Sequence, residues 1–160
     1  MLGSLPGDAS LAAAQYYAHP RNQFWRLIGA TIGCPSLAAL PYRQRLETIA
    51  ANGIGLWDVI ASANRTGSLD AAIRAAEPAA LAELVGTLPA LRAIAFNGAK
   101  SAAKGRKVFA KTGLSLIDLP SSSPAHATLS FDQKLARWLE IKEFLARPLN
   151  PRPGIDIGKT

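Results

Sequence analysis

The sequence predicts an α/β domain, a three-layer α/β/α sandwich around a small central parallel sheet. Three observations lead there: short, almost wholly apolar runs at 54–60, 91–96 and 114–119, helical stretches between them, and a length of 160 residues, which suits one core. Apolar runs this short fit strands buried on both faces, and strands alternating with helices join most simply by right-handed parallel crossovers. A chain of this size buries roughly two-thirds of the surface its unfolded form exposes.

Residues 1–10 contain Gly3, Pro6 and Gly7 and read as a loop, followed by a short helical turn from Leu11 to Tyr17 with Ser10 as its cap. The first long helix runs from Asn22 to about Gly33. It starts just after Pro20, carries Phe24, Trp25, Leu27 and Ile28 as its apolar face, and stops at Gly33-Cys34-Pro35. A second helix spans Tyr42 to Ala51 and ends at Asn52-Gly53, before the strand Ile54 to Ile60. Two short helices are expected from Ser68 to about Ala76 and from Pro78 to about Val85. The strand Leu91 to Phe96, the basic helix Lys100 to Ala110 and the strand Leu114 to Leu119 come next. Ser130 caps a last amphipathic helix to about Leu145, with Phe131, Leu135, Trp138, Leu139 and Phe144 on one face. Residues 1–147 thus form a single domain, and the Pro- and Gly-rich 148–160 an extended tail. A strand is expected to launch Gly3-Ser4-Leu5-Pro6-Gly7, yet only Met1 and Leu2 precede it, so this first strand is predicted to be truncated.

Charged residues make up 18% of the chain and apolar ones 49%, which excludes a disordered polyelectrolyte. No apolar run approaches the ~18 residues of a membrane span, and no signal segment opens the chain, so a soluble, cytoplasmic protein is expected. The single Cys34 and the isolated His19 and His126 offer no metal-ligand spacing. A formal charge of +7 favours a polyanionic partner.

Ligands of such sheets bind outside the carboxyl ends of the strands, and the chemically suggestive motifs all fall there. The run Tyr16-Tyr17-Ala18-His19-Pro20-Arg21-Asn22-Gln23-Phe24-Trp25 is broken by Pro20 and sets two amides before two rings. Rings supply a stacking face and an amide reads a heterocycle's edge, which is how a flipped nucleobase is held. Adjacent helical positions point apart, so at most one of Phe24 and Trp25 faces a ligand. Asn22 has a second reading as helix N-cap, as Asn97 has in closing a turn before Gly98. Asp58, a carboxylate within an apolar strand, requires a partner or a ligand. Ser121-Ser122-Ser123, between two prolines, suits a stiff loop whose hydroxyls and amides reach phosphate oxygens. His19 fits a loop hydrogen bond. Lys100, Lys104, Arg106 and Lys107 fit a solvated basic face.

Taken together, Gly3-Ser4-Leu5-Pro6-Gly7, Tyr17 through Trp25, Gly55-Leu56-Trp57-Asp58-Val59, Phe96-Asn97-Gly98 and Leu119 through Ala125 resemble the uracil-DNA glycosylase superfamily, and within it the hypoxanthine-DNA glycosylases, also called DNA-deoxyinosine glycosylases. The resemblance implies the α/β/α fold, no metal or cofactor, and DNA containing deaminated bases as partner; a monomer is expected because the core occupies the apolar face of the last helix. It implies monofunctional hydrolysis of the N-glycosidic bond of hypoxanthine, with xanthine or uracil as further substrates. A uracil- or mismatch-directed enzyme, or a non-catalytic nucleic-acid-binding module of the same fold, is the alternative. By the same resemblance Asn22 and Asn97 are catalytic, and Leu5, Phe24 and Asp58 face the base. Gly3, Ser4, Pro6, Gly7, Ser121, Ser122, Ser123 and His126 contact the DNA. Leu5 stands where many relatives place a water-activating Asp or Asn, which shifts the chemistry onto Asn22. Asp58 and Leu119 replace residues common in uracil-specific relatives, which weighs against uracil specificity. No lysine stands out as a Schiff-base nucleophile, so strand cleavage is not expected.

Overall fold

The computed structural model describes residues 1–3, 7–58 and 80–145. Its strands are β1 (Leu2–Gly3), β2 (Trp57–Asp58), β3 (Ala93–Asn97) and β4 (Ser115–Leu119), all parallel, in the order β2-β1-β3-β4. Around them lie α1 (Asp8–Ala13), α2 (Phe24–Ile32), α3 (Tyr42–Ala51), α4 (residues 80–86), α5 (Ala99–Phe109) and α6 (Phe131–Trp138). Two 3₁₀ turns, Pro35–Ala39 and Leu139–Phe144, complete the chain as described.

Alternation along β3 explains the layering, because successive strand residues point to opposite faces. Ala95 joins a core with Phe24, Trp25, Leu27 and Ile28 of α2, Ile49 of α3 and Trp138 of α6. Ile94 and Phe96 join a second core with Leu81 of α4 and Ala102 and Phe109 of α5. The sheet is therefore covered on both sides, as expected. Gly105 lets α5 lie directly on β3, since a Cβ there would collide with the Phe96 ring.

The short first strand corrects one expectation. It is two residues long, yet it lies inside the sheet: Leu2 pairs with Trp57 on one side and Phe96 on the other, and Gly3 pairs with Asp58. A two-residue neighbour limits β2 in turn. The strand expected over 54–60 reduces to Trp57–Asp58 within the described residues, and Trp57 is 47% exposed rather than buried. Residues 59 and 60, the helix expected from Ser68 to Ala76, the start of the next helix at 78–79 and the tail from 148 lie outside the described residues.

Helix ends differ for local reasons. The first helix begins at Asp8, inside the predicted loop, because the Gly7 carbonyl accepts from Ser10 and Leu11 amides, and an acid in the first turn suits the helix dipole. It stops at Ala14, which is left-handed (φ 50°), so the expected turn to Tyr17 does not form. Ser10 caps nothing; its hydroxyl accepts from the Ala18 amide at 3.2 Å. At the other end Ser130 and Gln133 form a reciprocal capping box at 2.8 and 3.2 Å, and the last expected helical turns tighten into 3₁₀ geometry from Leu139.

Candidate active site

Because all four strands are parallel, Gly3, Asp58, Asn97 and the loop after Leu119 emerge on one side of the sheet. With residues 7–10 and the Tyr16–Asn22 segment they line a cleft of about 390 Å³. The lining includes Gly3, Gly7, Tyr17, Asn22, Asp58, Asn97 and Ser121, Ser122 and Ser123. Ser4, Leu5 and Pro6 lie outside the described residues.

Asn22 sits just before α2. Its Oδ1 accepts the Phe24 amide at 3.0 Å, a local bond made from one position before the N-cap, which is Gln23 and not Asn22 as the second reading had it. That bond orients the side chain and leaves Nδ2 with no partner among the described residues. One cleft residue is therefore both anchored to the backbone and, among the described residues, left with an unpaired donor. His19 supports the same turn: its carbonyl accepts from the Asn22 amide at 2.8 Å and its Nδ1 from the Arg21 amide at 3.1 Å.

Asn97 is arranged otherwise. It is 7% exposed, its Nδ2 donates to Ser122 Oγ and its Oδ1 accepts from the Ser122 amide, both at 2.8 Å. The side chain also contacts the Tyr17 hydroxyl. Ser122 is fully buried, and its carbonyl accepts from the Gln23 amide at 3.0 Å. Ser122 is too buried to reach a phosphate as its sequence position suggested, and Asn97, expected to be catalytic, has its amide engaged by Ser122; together they tie the end of β3 and the start of α2 to the serine loop. Gly98 makes this possible, since its φ of +98° is unfavourable for other residues and a Cβ would lie 3.0 Å from that of Ser121. Ser121 and Ser123 stiffen the loop by accepting from the Ser123 and Ala125 amides, each at 3.2 Å, and their hydroxyl protons stay available for an acceptor. His126 is not part of the lining; it lies farther along, with its amide on the Ser123 carbonyl and its ring 3.4 Å from the Thr128 hydroxyl.

Tyr16 and Tyr17 are the tyrosines that line the cleft, where the sequence pointed to Phe24. Phe24 is fully buried, stacked under Tyr17 at 3.8 Å and held edge-on by Trp25 and Trp138 at 5.1 and 5.7 Å. Tyr17 lines the cleft with a backbone φ of +55°, a strained value for a large side chain. Burial holds its phenol well above the ordinary range, so it stays neutral. No periodicity marks this position; the residue lies between helices, and only its place in the aromatic run hints at a site.

Asp58 ends β2 beside Gly3, whose missing side chain leaves room for it: a Cβ there would lie 2.5 Å from Asp58 Oδ1 and 3.0 Å from the Tyr17 hydroxyl. The carboxylate has no hydrogen-bond partner among the described residues, and burial raises its pKa to about 6. Sequence reasoning missed Lys134. It is 2% exposed on α6 and donates to Gln23 Oε1 at 3.0 Å, with burial lowering its pKa. Its spacing with Phe131, Leu135 and Trp138 places it on the apolar face, a signal legible from helical period alone.

The known proteins that this chain matches agree with this geometry. Residues 1–143 match the Uracil DNA glycosylase superfamily. The chain belongs to that superfamily and is an enzyme of the DNA glycosylase class. Among its relatives are two proteins named Hypoxanthine DNA glycosylase. That of Methanosarcina acetivorans is 42% identical over 138 residues, covering 86% of this chain and 85% of the relative. That of Methanosarcina barkeri is 39% identical over 140 residues, covering 88% and 87%. A solution NMR structure from Methanosarcina acetivorans, described as a candidate uracil DNA glycosylase, superposes with a TM-score of 0.71. It is 34% identical in sequence, covering 89% of this chain and 88% of that one.

Proposed function

We propose that this protein excises hypoxanthine from DNA by hydrolysing its N-glycosidic bond after flipping the nucleotide into the cleft. The observation that carries the reading is the Asn22 amide, fixed through Oδ1 on the Phe24 amide with Nδ2 unpaired in a cleft of purine-accommodating size. The names of the two Methanosarcina relatives support the same substrate.

In this scheme the flipped base lies on Tyr17, which Phe24 backs from the core. Bond breaking leaves negative charge on the purine, spread over its ring and carbonyl oxygen, while the sugar passes through an oxocarbenium-like state. The Asn22 Nδ2 donates to the departing base, a fixed donor aimed at developing charge, worth about 3 kcal/mol in comparable sites. Ser121 and Ser123 hydroxyls and the exposed Lys100 at the start of α5 hold flanking phosphates. Water attacks the sugar to complete hydrolysis and leaves an abasic site, the starting point of base excision repair.

Base release from matched labelled duplexes containing deoxyinosine, deoxyxanthosine or deoxyuridine, revealed by alkaline cleavage at abasic sites, tests the proposal. Fastest release from deoxyinosine is expected. Binding to all three duplexes with release from none contradicts it and indicates a binding module of the same fold.

A further inference from the structure

Among the described residues, Asp58 is the one cleft carboxylate that projects from the sheet itself, and none of their anchoring and clamping bonds around the site uses it or neutralises it. Of the titratable residues around it among the described residues, Tyr16 and Tyr17 are phenols held neutral, with Asp58 itself among the causes that raise both. Asp8 and His19 also line the cleft, and neither is bonded to Asp58. The closest backbone, at Gly3, is packed against Asp58 Oδ1 without a side chain between them. A carboxylate so placed, half-buried and without a donor among the described residues, is costly unless a ligand supplies one.

Deamination creates such a donor. Adenine carries a lone pair at N1, whereas hypoxanthine carries an N1–H; cytosine and uracil differ in the same way at N3. Resting on the proposed excision of hypoxanthine, we propose that Asp58 is a specificity-determining residue. Its ionised carboxylate accepts the ring N–H that deamination creates and repels the lone pair that an undamaged adenine or cytosine presents. Guanine and xanthine both carry N1–H, so this device separates hypoxanthine from adenine but not xanthine from guanine. Because burial raises the Asp58 pKa to about 6, the device is active at neutral pH. Below that value the protonated carboxyl becomes a donor that adenine N1 can accept, and the preference collapses.

Binding to duplexes carrying 2′-fluoro-deoxyinosine or 2′-fluoro-deoxyadenosine isolates recognition from chemistry, since the fluorine retards bond breaking. Each base is set opposite an abasic site, so no Watson–Crick partner need be broken. The inosine-over-adenosine preference of the parent protein at pH 7.5 is expected to fall about tenfold or more at pH 5. It should fall by a similar factor in Asp58→Asn, whose amide offers both donor and acceptor, and should no longer depend on pH in that variant. The inosine-over-guanosine preference should move little in either case. A preference unchanged both by pH and by Asp58→Asn overturns the assignment while leaving the proposed activity intact, provided the parent still releases hypoxanthine from ordinary deoxyinosine. A parent protein that releases none overturns both. The pH series on the parent decides the matter even if the variant does not fold.

Discussion

The two asparagines of the cleft make an instructive pair. Asn22, before α2, uses one side of its amide for the backbone and leaves the other without a partner among the described residues. Asn97, after β3, has both sides engaged by Ser122, 25 residues away. The same side chain at two loop positions thus does two jobs, one offering a donor to a ligand and the other holding the wall against which that ligand rests. Burial tracks the division, since Asn97 is 7% exposed and every buried polar side-chain atom described has a partner. Groups that complete the fold are satisfied within it, and those left over in the cleft are the ones available for chemistry.

Substitutions can break this division. Asn22→Ala should have the largest effect, lowering single-turnover base release about 10²–10³-fold by removing the donor. Losing the bond to the Phe24 amide should also lower stability by about 1 kcal/mol in thermal unfolding. Asn97→Ala should do the reverse. Leaving the Ser122 amide and hydroxyl unpaired costs on the order of 2–3 kcal/mol of stability, visible as a melting temperature lower by several degrees, while release at low temperature falls less than in Asn22→Ala. Gly98→Ala should cost about 1–2 kcal/mol, from the left-handed backbone and the pressure on Ser121. If Asn97→Ala leaves stability untouched, the clamp assigned to it is wrong.

The smallest effect sharpens the comparison from the side of Asp58. Its folded-state pKa is raised from 3.8 to about 6. The folded protein therefore binds the proton more tightly than the unfolded chain between those values, and stability falls as pH rises through about 6. Asp58→Asn should then stabilise the protein at pH 7.5, by on the order of 1 kcal/mol after allowing for partial exposure, and by only about a third as much at pH 4.5. A gain of the same size at both pH values would show that ionisation is not the cause.

The layers of the fold were legible because apolar period carries them: alternation in Ile94, Ala95 and Phe96 needs two covered faces, and α2 and α6 announce their buried stripes. The position of β1 was not. Two residues hold no periodicity, and their place between β2 and β3 is set by pairing partners that lie about 55 and 94 residues ahead. At the site, the aromatic and amide run pointed to the right segment, yet local pattern cannot tell which ring turns outward. Phe24 follows the helical period into the core, while Tyr17 reaches the cleft through a left-handed backbone that no sequence rule assigns to tyrosine. Asn97 followed by Gly98 reads the same whether the amide faces a ligand or a loop. Lys134 went unnoticed although its spacing on α6 was readable, because a lysine is ordinarily assigned to solvent.

Asn22→Asp tests the central claim most directly. Aspartate still accepts the Phe24 amide as asparagine does, but an ionised carboxylate has no proton to donate. Deoxyinosine release and thermal unfolding would be measured on the same preparation at pH 7.5. A fall in release of about 10²–10³-fold with an unchanged melting temperature is the predicted result. Release close to that of the parent would contradict the account, because the Asn22 amide would then be a backbone anchor and nothing more.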